Sequence, residues 1–240
     1  MKKIRNKKPV DYYRVLILRT IGNFLLLSSI FFITKTFSQP IHEEVKFFIE
    51  KKFNKQYVVA TIQDEQKYKR ALENNQPKGL LAKTLNVKPI ELLVPQDPDF
   101  SIVIPKIGAN ARILANVDAA DEKVYAEALK KGVAHALGTS FPGEPNHIFL
   151  FAHSTDYFWN IGTYNAVFYL LYKLEANDEV NLFYQGQRYV YRVIDKKVVD
   201  PSEIEYLTKK TDSEFLTLQT CWPPGTTLKR ILVFAKRVAE

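Results

Sequence analysis

One cysteine, Cys221, stands among the 240 residues. A lone cysteine excludes an intramolecular disulfide framework and any Cys-rich zinc site. No Gly-rich phosphate loop and no zinc motif is present. The acidic residues Asp121-Glu122, Asp178-Glu179 and Asp195 form no calcium-ligand spacing. No cofactor and no metal is therefore expected. Internal repeats and low-complexity tracts are also missing. Acidic residues are scarce at the front: Lys2, Lys3, Arg5, Lys7, Lys8, Arg14 and Arg19 are opposed in the first twenty positions by Asp11 alone. That segment holds +6 of the formal net charge of +8. The basic excess is thus a tail and not a face of the folded body, which argues against a nucleic-acid partner.

What is present is enough apolar material for a sizeable core, since 46% of the chain is hydrophobic and 13% aromatic. Val15 to Ile33 is nineteen residues, apolar except for Arg19, Thr20, Gly22, Asn23, Ser28 and Ser29, close to the roughly 20 that a helix needs to cross a bilayer. Arg19 lies near its start, where a long stem can snorkel. With the positive charge in front, the N-terminus is expected in the cytoplasm and the rest of the chain outside the cell, as a single-pass membrane protein. The competing reading is a cleaved signal peptide, but no clear small-residue cleavage site follows the run; Thr36-Phe37-Ser38 is a poor substitute.

Residues Pro40 to about Asn75 place apolar positions such as Val45, Phe48, Ile49, Phe53, Val58 and Ile62 at spacings of 3, 4 or 5, with an interruption near Asn54. They read as an amphipathic stalk. Gln76-Pro-Lys-Gly79, Lys88-Pro89 and Val94-Pro-Gln-Asp-Pro98 break the pattern into an extended linker. The expected organisation is a basic tail (1–14), a transmembrane anchor (15–36), a helical stalk and linker (37–97) and a folded domain (98–240).

After Pro98 short runs of β-branched and aromatic residues alternate with Gly, Pro and Asn. Phe100–Ile104, His147–Ala152, Val180–Tyr184, Arg188–Ile194, Val198-Val199, Phe215–Cys221 and Arg230–Ala235 are strand candidates, and Gln185-Gly186-Gln187 is a hairpin turn. Asp118 to Lys131 reads as a helix ended by Gly132, with a second near Ala166–Leu174. Many short strands in about 140 residues predict a mostly β fold, a closed or nearly closed barrel.

Phe215-Leu-Thr-Leu-Gln-Thr-Cys221 runs into Trp222-Pro-Pro-Gly225 and then Lys229-Arg230-Ile-Leu-Val. Strand, cysteine, turn and strand put a thiol and a fixed positive charge at one end of two neighbouring strands. Two readings stand at this point: a small buried hydrophobe, the commoner fate of a lone cysteine, or a nucleophile.

Phe100-x-Ile-x-Ile104-Pro-Lys-Ile-Gly108, Ala128-Leu-Lys-Lys-Gly-Val-Ala-His135, Gly138-Thr-Ser-Phe-Pro-Gly143, Ala152-His153-Ser154, Val198-Val-Asp-Pro201 and Thr217-Leu-Gln-Thr-Cys221 resemble the sortases in order and spacing. The resemblance runs from about Phe100 to Val238. It implies an eight-stranded β-barrel with short helices and a membrane-anchored cysteine transpeptidase of the bacterial cell surface. It makes Cys221 the nucleophile, His153 its acid–base partner and Arg230 the stabiliser of the oxyanion. The implied partners are secreted proteins bearing a C-terminal sorting motif of the Leu-Pro-x-Thr-Gly type and an amine acceptor, either a peptidoglycan precursor or a pilin lysine. Asp97-Pro98-Asp99-Phe100 resembles the lid of pilin-assembling members, but an extra Asp intervenes and Phe100 fits better as the start of a strand.

The chemistry accounts for these residue types. Acyl transfer needs a thiolate, and a nearby positive charge is expected to lower the pKa of Cys221. Each assignment has a rival. His135 and His147 compete with His153, although His147 begins its strand and so lies at the opposite end. Lys229 competes with Arg230, and strand alternation allows only one of them to reach the site. Thr220 is a candidate substrate contact or simply a good strand former. Trp222 either walls the groove or packs on the turn. Two alternatives in function are a membrane-tethered cysteine peptidase that releases its product to water, and a catalytically idle surface-assembly barrel.

Overall fold

The computed structural model describes residues 10–53, 55, 57–61, 91–154 and 167–238. A long helix, α1 (Val10–Lys52), opens the described chain. Its stretch Tyr12–Lys35, 24 residues, is long and apolar enough to cross a membrane. The chain divides into two compact units, Met1–Glu43 and Glu44–Glu240. The second unit takes in the last turns of α1 and everything after them.

Where the apolar spacing predicted continued helix around Val58, the structure has a strand. β1 (Tyr57–Val59) pairs in parallel with β2 (Glu91–Leu93). Tyr57, Val58 and Val59 are consecutive β-formers, and Val59 packs with Val103 and Phe183 on the outside of the barrel. Tertiary packing thus outweighs the helical period. The linker positions 62–90 lie outside the described residues.

The remaining strands are β3 (Phe100–Ile104), β4 (Ala109–Val117), β5 (Val133–Ala136), β6 (His147–Phe151), β7 (Glu179–Tyr184), β8 (Gln187–Val199), β9 (Phe215–Trp222) and β10 (Lys229–Arg237). They close into an eight-stranded barrel in the order β10-β8-β7-β3-β4-β5-β6-β9. Closure leaves no free edge for another chain to pair with. One helix, α2 (Glu122–Leu129), joins β4 to β5. It is shorter than the expected 118–131 because Asp121 is its N-cap, accepting from the amides of Lys123 and Val124. Instead of the second helix near Ala166–Leu174 there is a single 3-10 turn, Leu171–Lys173. Val198-Val199 is the far end of the long strand β8 and not a strand of its own. Phe100 is the first, buried residue of β3 and pairs with Tyr184.

Side chains alternate across the barrel wall, and the alternation positions the site. Ile148, Leu150 and Ala152 of the β6 segment, Leu216 and Leu218 of β9, and Ile231, Val233 and Ala235 of β10 all belong to the interior core. Phe149 and Phe151, and separately Phe215, Leu232 and Phe234, belong to clusters on the outer face. Cys221 and Arg230 carry the parity of these outer-face residues. His153 lies two positions past Phe151, beyond the end of β6.

Candidate active site

β9 lies between β6 and β10. It is parallel to β6, with Phe151 opposite Gln219, and antiparallel to β10, with Cys221 opposite Arg230. Beyond Phe151 the amide of Ala152 still donates to the Gln219 carbonyl at 3.1 Å. His153 is the next residue, two positions past the end of β6. Two adjacent strand ends therefore carry thiol and guanidinium opposite each other on one face, and His153 follows the end of the third strand.

Thr220 joins the ends of β6 and β9. It is buried, and its hydroxyl donates to the Ala152 carbonyl at 2.8 Å. This bond ties the strand of Cys221 to the residue before His153, where the β6 ladder is ending.

Lys229 is opposite Trp222 in register and has the opposite parity from Arg230. Its ammonium pairs with Asp200 at 2.7 Å, fixing the start of β10 to the chain leaving β8. Arg230 donates through Nη1 to the carbonyls of Thr227 and Lys229, both at 3.1 Å. These bonds hold the guanidinium at the turn while its other N–H groups remain for a substrate oxygen.

The competing histidines are occupied elsewhere. His147 is buried at the start of β6, and its Nε2 lies 2.8 Å from the Thr217 hydroxyl. Burial, reinforced by the charge of Lys209, pushes its pKa down to about 4, so it stays neutral at ordinary pH. His135 is fully buried; its Nδ1 accepts from the Asn116 amide and its Nε2 lies 3.0 Å from the Ser140 carbonyl. Burial lowers its pKa too. Asp156, three positions past His153 and near enough in sequence to orient it, lies outside the described residues. Among the described residues no group of three or more His, Cys, Asp or Glu could hold a metal ion.

One electrostatic expectation is corrected. Cys221 is half-buried, and burial pushes its thiol pKa above the usual cysteine value; the Arg230 charge pulls the other way without overcoming it. Desolvation of the thiolate wins because the sulfur sits among strand ends and the described charge facing it is a single guanidinium. Cys221 is therefore predominantly a thiol at neutral pH. The rate of alkylation of Cys221 is expected to rise with pH and reach its half-maximum above about 8.5, the value of a free cysteine. Arg230→Ala, which removes the lowering charge, should move that midpoint further up. Iodoacetamide labelling followed by mass spectrometry across pH measures both. A midpoint below that of free cysteine would contradict the assignment.

Trp222 follows Cys221 but has the other parity. It packs against the interior core and against Tyr172, with ring centroids 5.1 Å apart. Sequence reasoning did not single out Tyr172, nor Glu44 and Phe47 of α1 with which it is associated. With 13 tyrosines and 16 phenylalanines in the chain, no spacing marks these particular ones.

Comparison with known proteins gives a consistent result. A family model described as the sortase domain matches residues 102–238. Sortase D of Bacillus subtilis (strain 168) is 30% identical over 138 residues, an alignment covering 56% of this chain and 61% of that protein. The chain thus spans less than two thirds of that relative's length. Among solved structures, sortase C-1 from Actinomyces oris superposes with a TM-score of 0.50 at 32% identity, over 60% of this chain and 76% of the other. Sortase C1 of GBS Pilus Island 1 gives a TM-score of 0.50 at 30% identity, over 59% of this chain and 64% of the other.

Proposed function

This chain belongs to the sortase family, and from that premise we propose that it is a cysteine transpeptidase that cleaves a C-terminal sorting motif of the Leu-Pro-x-Thr-Gly type and transfers the acyl part to a cell-surface amine. The observation that carries the reading is Cys221 opposite Arg230 across β9 and β10; His153, which follows β6 where Thr220 binds the Ala152 carbonyl, completes a row with them in this proposal.

The chemistry follows from the row. The Cys221 sulfur gives its proton to His153 and attacks the Thr–Gly carbonyl carbon, and the electron pair of the C=O moves onto oxygen. Arg230 donates to that oxyanion from the β10 side. A preorganised donor at this position is typically worth about 3–4 kcal/mol. The C–N bond then breaks, and protonated His153 gives its proton to the departing glycine amine. A thioester on Cys221 remains. An acceptor amine attacks it, His153 takes the excess proton, and the sulfur leaves as the new amide forms. The raised thiol pKa means that the reactive form is a minor population at neutral pH, and Arg230 makes that population larger than burial alone would leave.

The acceptor amine is a peptidoglycan precursor or a pilin lysine, and the substrates are secreted proteins. The helix stretch Tyr12–Lys35 is compatible with membrane anchoring. The tail charge of Lys2 to Lys8 favours a cytoplasmic N-terminus and an extracellular barrel.

The test is a peptide carrying Leu-Pro-x-Thr-Gly incubated with the full chain in detergent, with and without triglycine. The expected result is a ligated peptide that replaces the hydrolysed one as triglycine rises. Cleavage that never partitions to the amine would make the protein a cysteine peptidase. The absence of any Cys221-dependent cleavage would leave a non-catalytic barrel.

A further inference from the structure

Trp222 is held from a direction that the reaction does not use. Its ring lies against the ring of Tyr172, centroids 5.1 Å apart and planes inclined by 50°. Tyr172 belongs to the 3-10 turn between β6 and β7, and its hydroxyl donates to the carboxylate of Glu44 in α1. The next residue, Lys173, closes the arrangement. Its ammonium is 3.2 Å from the Glu44 carboxylate, 4.7 Å from the centre of the Tyr172 ring and 5.5 Å from that of Phe47. Lys196 of β8 anchors the turn from below, donating to the carbonyls of Tyr172 and Leu174 at 2.8 and 2.9 Å. Phe47, Tyr172 and Trp222 all pack on the same interior core. An unbroken line of contacts thus joins the end of α1 to the residue that follows the nucleophile.

We propose that the end of α1 is a clamp on the active-site strand: Glu44 and Phe47 hold Tyr172, Tyr172 holds Trp222, and Trp222 fixes the end of β9 that carries Cys221. Tyr172, Glu44 and Phe47 are positioning residues in this account. It rests on the reading of Cys221 as the nucleophile. The physical case is that β9 is running out of ladder here. Cys221 and Trp222 are its last two residues, and the chain turns at Pro223. A strand end frays unless side chains tie it down. The ring contacts carry more of the clamp than the Glu44–Lys173 ion pair, because both charged side chains are roughly a third exposed and screened by water. Since Trp222 faces the barrel interior and Cys221 the outer face, loosening the clamp should shift the sulfur without removing a peptide contact. The loss should therefore fall on kcat and not on KM.

The experiment uses the full chain in detergent in a Trp159→Phe background, which leaves Trp222 as the single tryptophan. Trp222 emission, kcat and KM for the sorting peptide, and the rate of Cys221 alkylation by iodoacetamide are measured for Tyr172→Ala, Tyr172→Phe and the double variant Glu44→Ala/Phe47→Ala. Tyr172→Ala is expected to move Trp222 emission to longer wavelength and lower kcat about tenfold with KM within about twofold. The alkylation rate should stay near wild type, since a small reagent does not need the sulfur placed. Tyr172→Phe keeps the ring and should restore emission and most of kcat. The double variant changes only α1, remote in sequence from the barrel, and should shift both readouts in the direction of Tyr172→Ala. Emission and kcat that both stay at wild-type values in the double variant would overturn the clamp, as would a fall in kcat without any change in emission. The emission readout does not use the reaction. A shift in a chain that cleaves no peptide would support the clamp and count against the transpeptidase reading alone.

Discussion

Cys221→Ala is expected to form no ligated peptide and no acyl-enzyme while unfolding at the wild-type temperature. The backbone of residue 221 is paired with Arg230 in the β9–β10 ladder, and that pairing does not depend on the side chain. The thiol is only half-buried and alanine is smaller, so the barrel wall keeps its register. Activity has no second source, because this is the one cysteine in the chain and a hydroxyl or amine would require stronger activation than the row supplies. Product analysis by chromatography and mass spectrometry, beside a thermal melt of both proteins, checks the two halves of the expectation. Transfer above the uncatalysed rate in the variant would remove Cys221 from the reaction.

Arg230→Ala and His153→Ala are each expected to lower kcat/KM at least about a hundredfold, the scale of an oxyanion donor or an acid–base partner. For Arg230 the loss should be mainly in kcat, since charge on the carbonyl oxygen develops only as the transition state is approached. The neighbouring ammonium cannot take over: Lys229 has the opposite strand parity and is engaged with Asp200 at 2.7 Å. Arg230→Lys should recover part of the electrostatic effect on the thiol but little of the rate, because a single ammonium does not reproduce the guanidinium fork. For His153, the Thr220–Ala152 hydrogen bond holds the backbone before it whichever side chain follows, so the alanine variant tests the imidazole and not the strand end. Steady-state kinetics with the sorting peptide measure both variants. Near-normal kcat/KM in either would take that residue out of the site.

Much of this site was legible in the sequence because strand periodicity carries geometric information. The run Phe215–Cys221 and the turn Trp222–Gly225 place a thiol at a strand mouth, and alternation alone separates Arg230 from Lys229. The register confirms that separation, with Arg230 opposite Cys221. The closed barrel was legible for the same reason, although β4 and β5 are not strand candidates on apolar pattern alone. Ala109-Asn-Ala-Arg112 has too little branched or aromatic character to mark a strand, and it pairs because β3 lies beside it. The strand β1 reads as helix from sequence because Val58 continues a run of apolar positions spaced by 3, 4 or 5 residues, and the packing of Val59 on Val103 and Phe183 decides otherwise. The thiol's raised pKa was not legible, since it depends on how deeply the strand ends bury the sulfur. The contacts of Tyr172 with Glu44 and Trp222 were also hidden. They join residues 128 and 50 positions apart, and no local pattern encodes them.

The most direct test is intact-protein and peptide mass spectrometry of the full chain quenched during turnover of a Leu-Pro-x-Thr-Gly peptide. The account predicts an acyl adduct on the proteolytic fragment containing Cys221, discharged into a ligated peptide when triglycine is added and weak or absent in Arg230→Ala and His153→Ala. Cleavage of the peptide with no adduct on Cys221 under any quench, or an adduct on another residue, would contradict it.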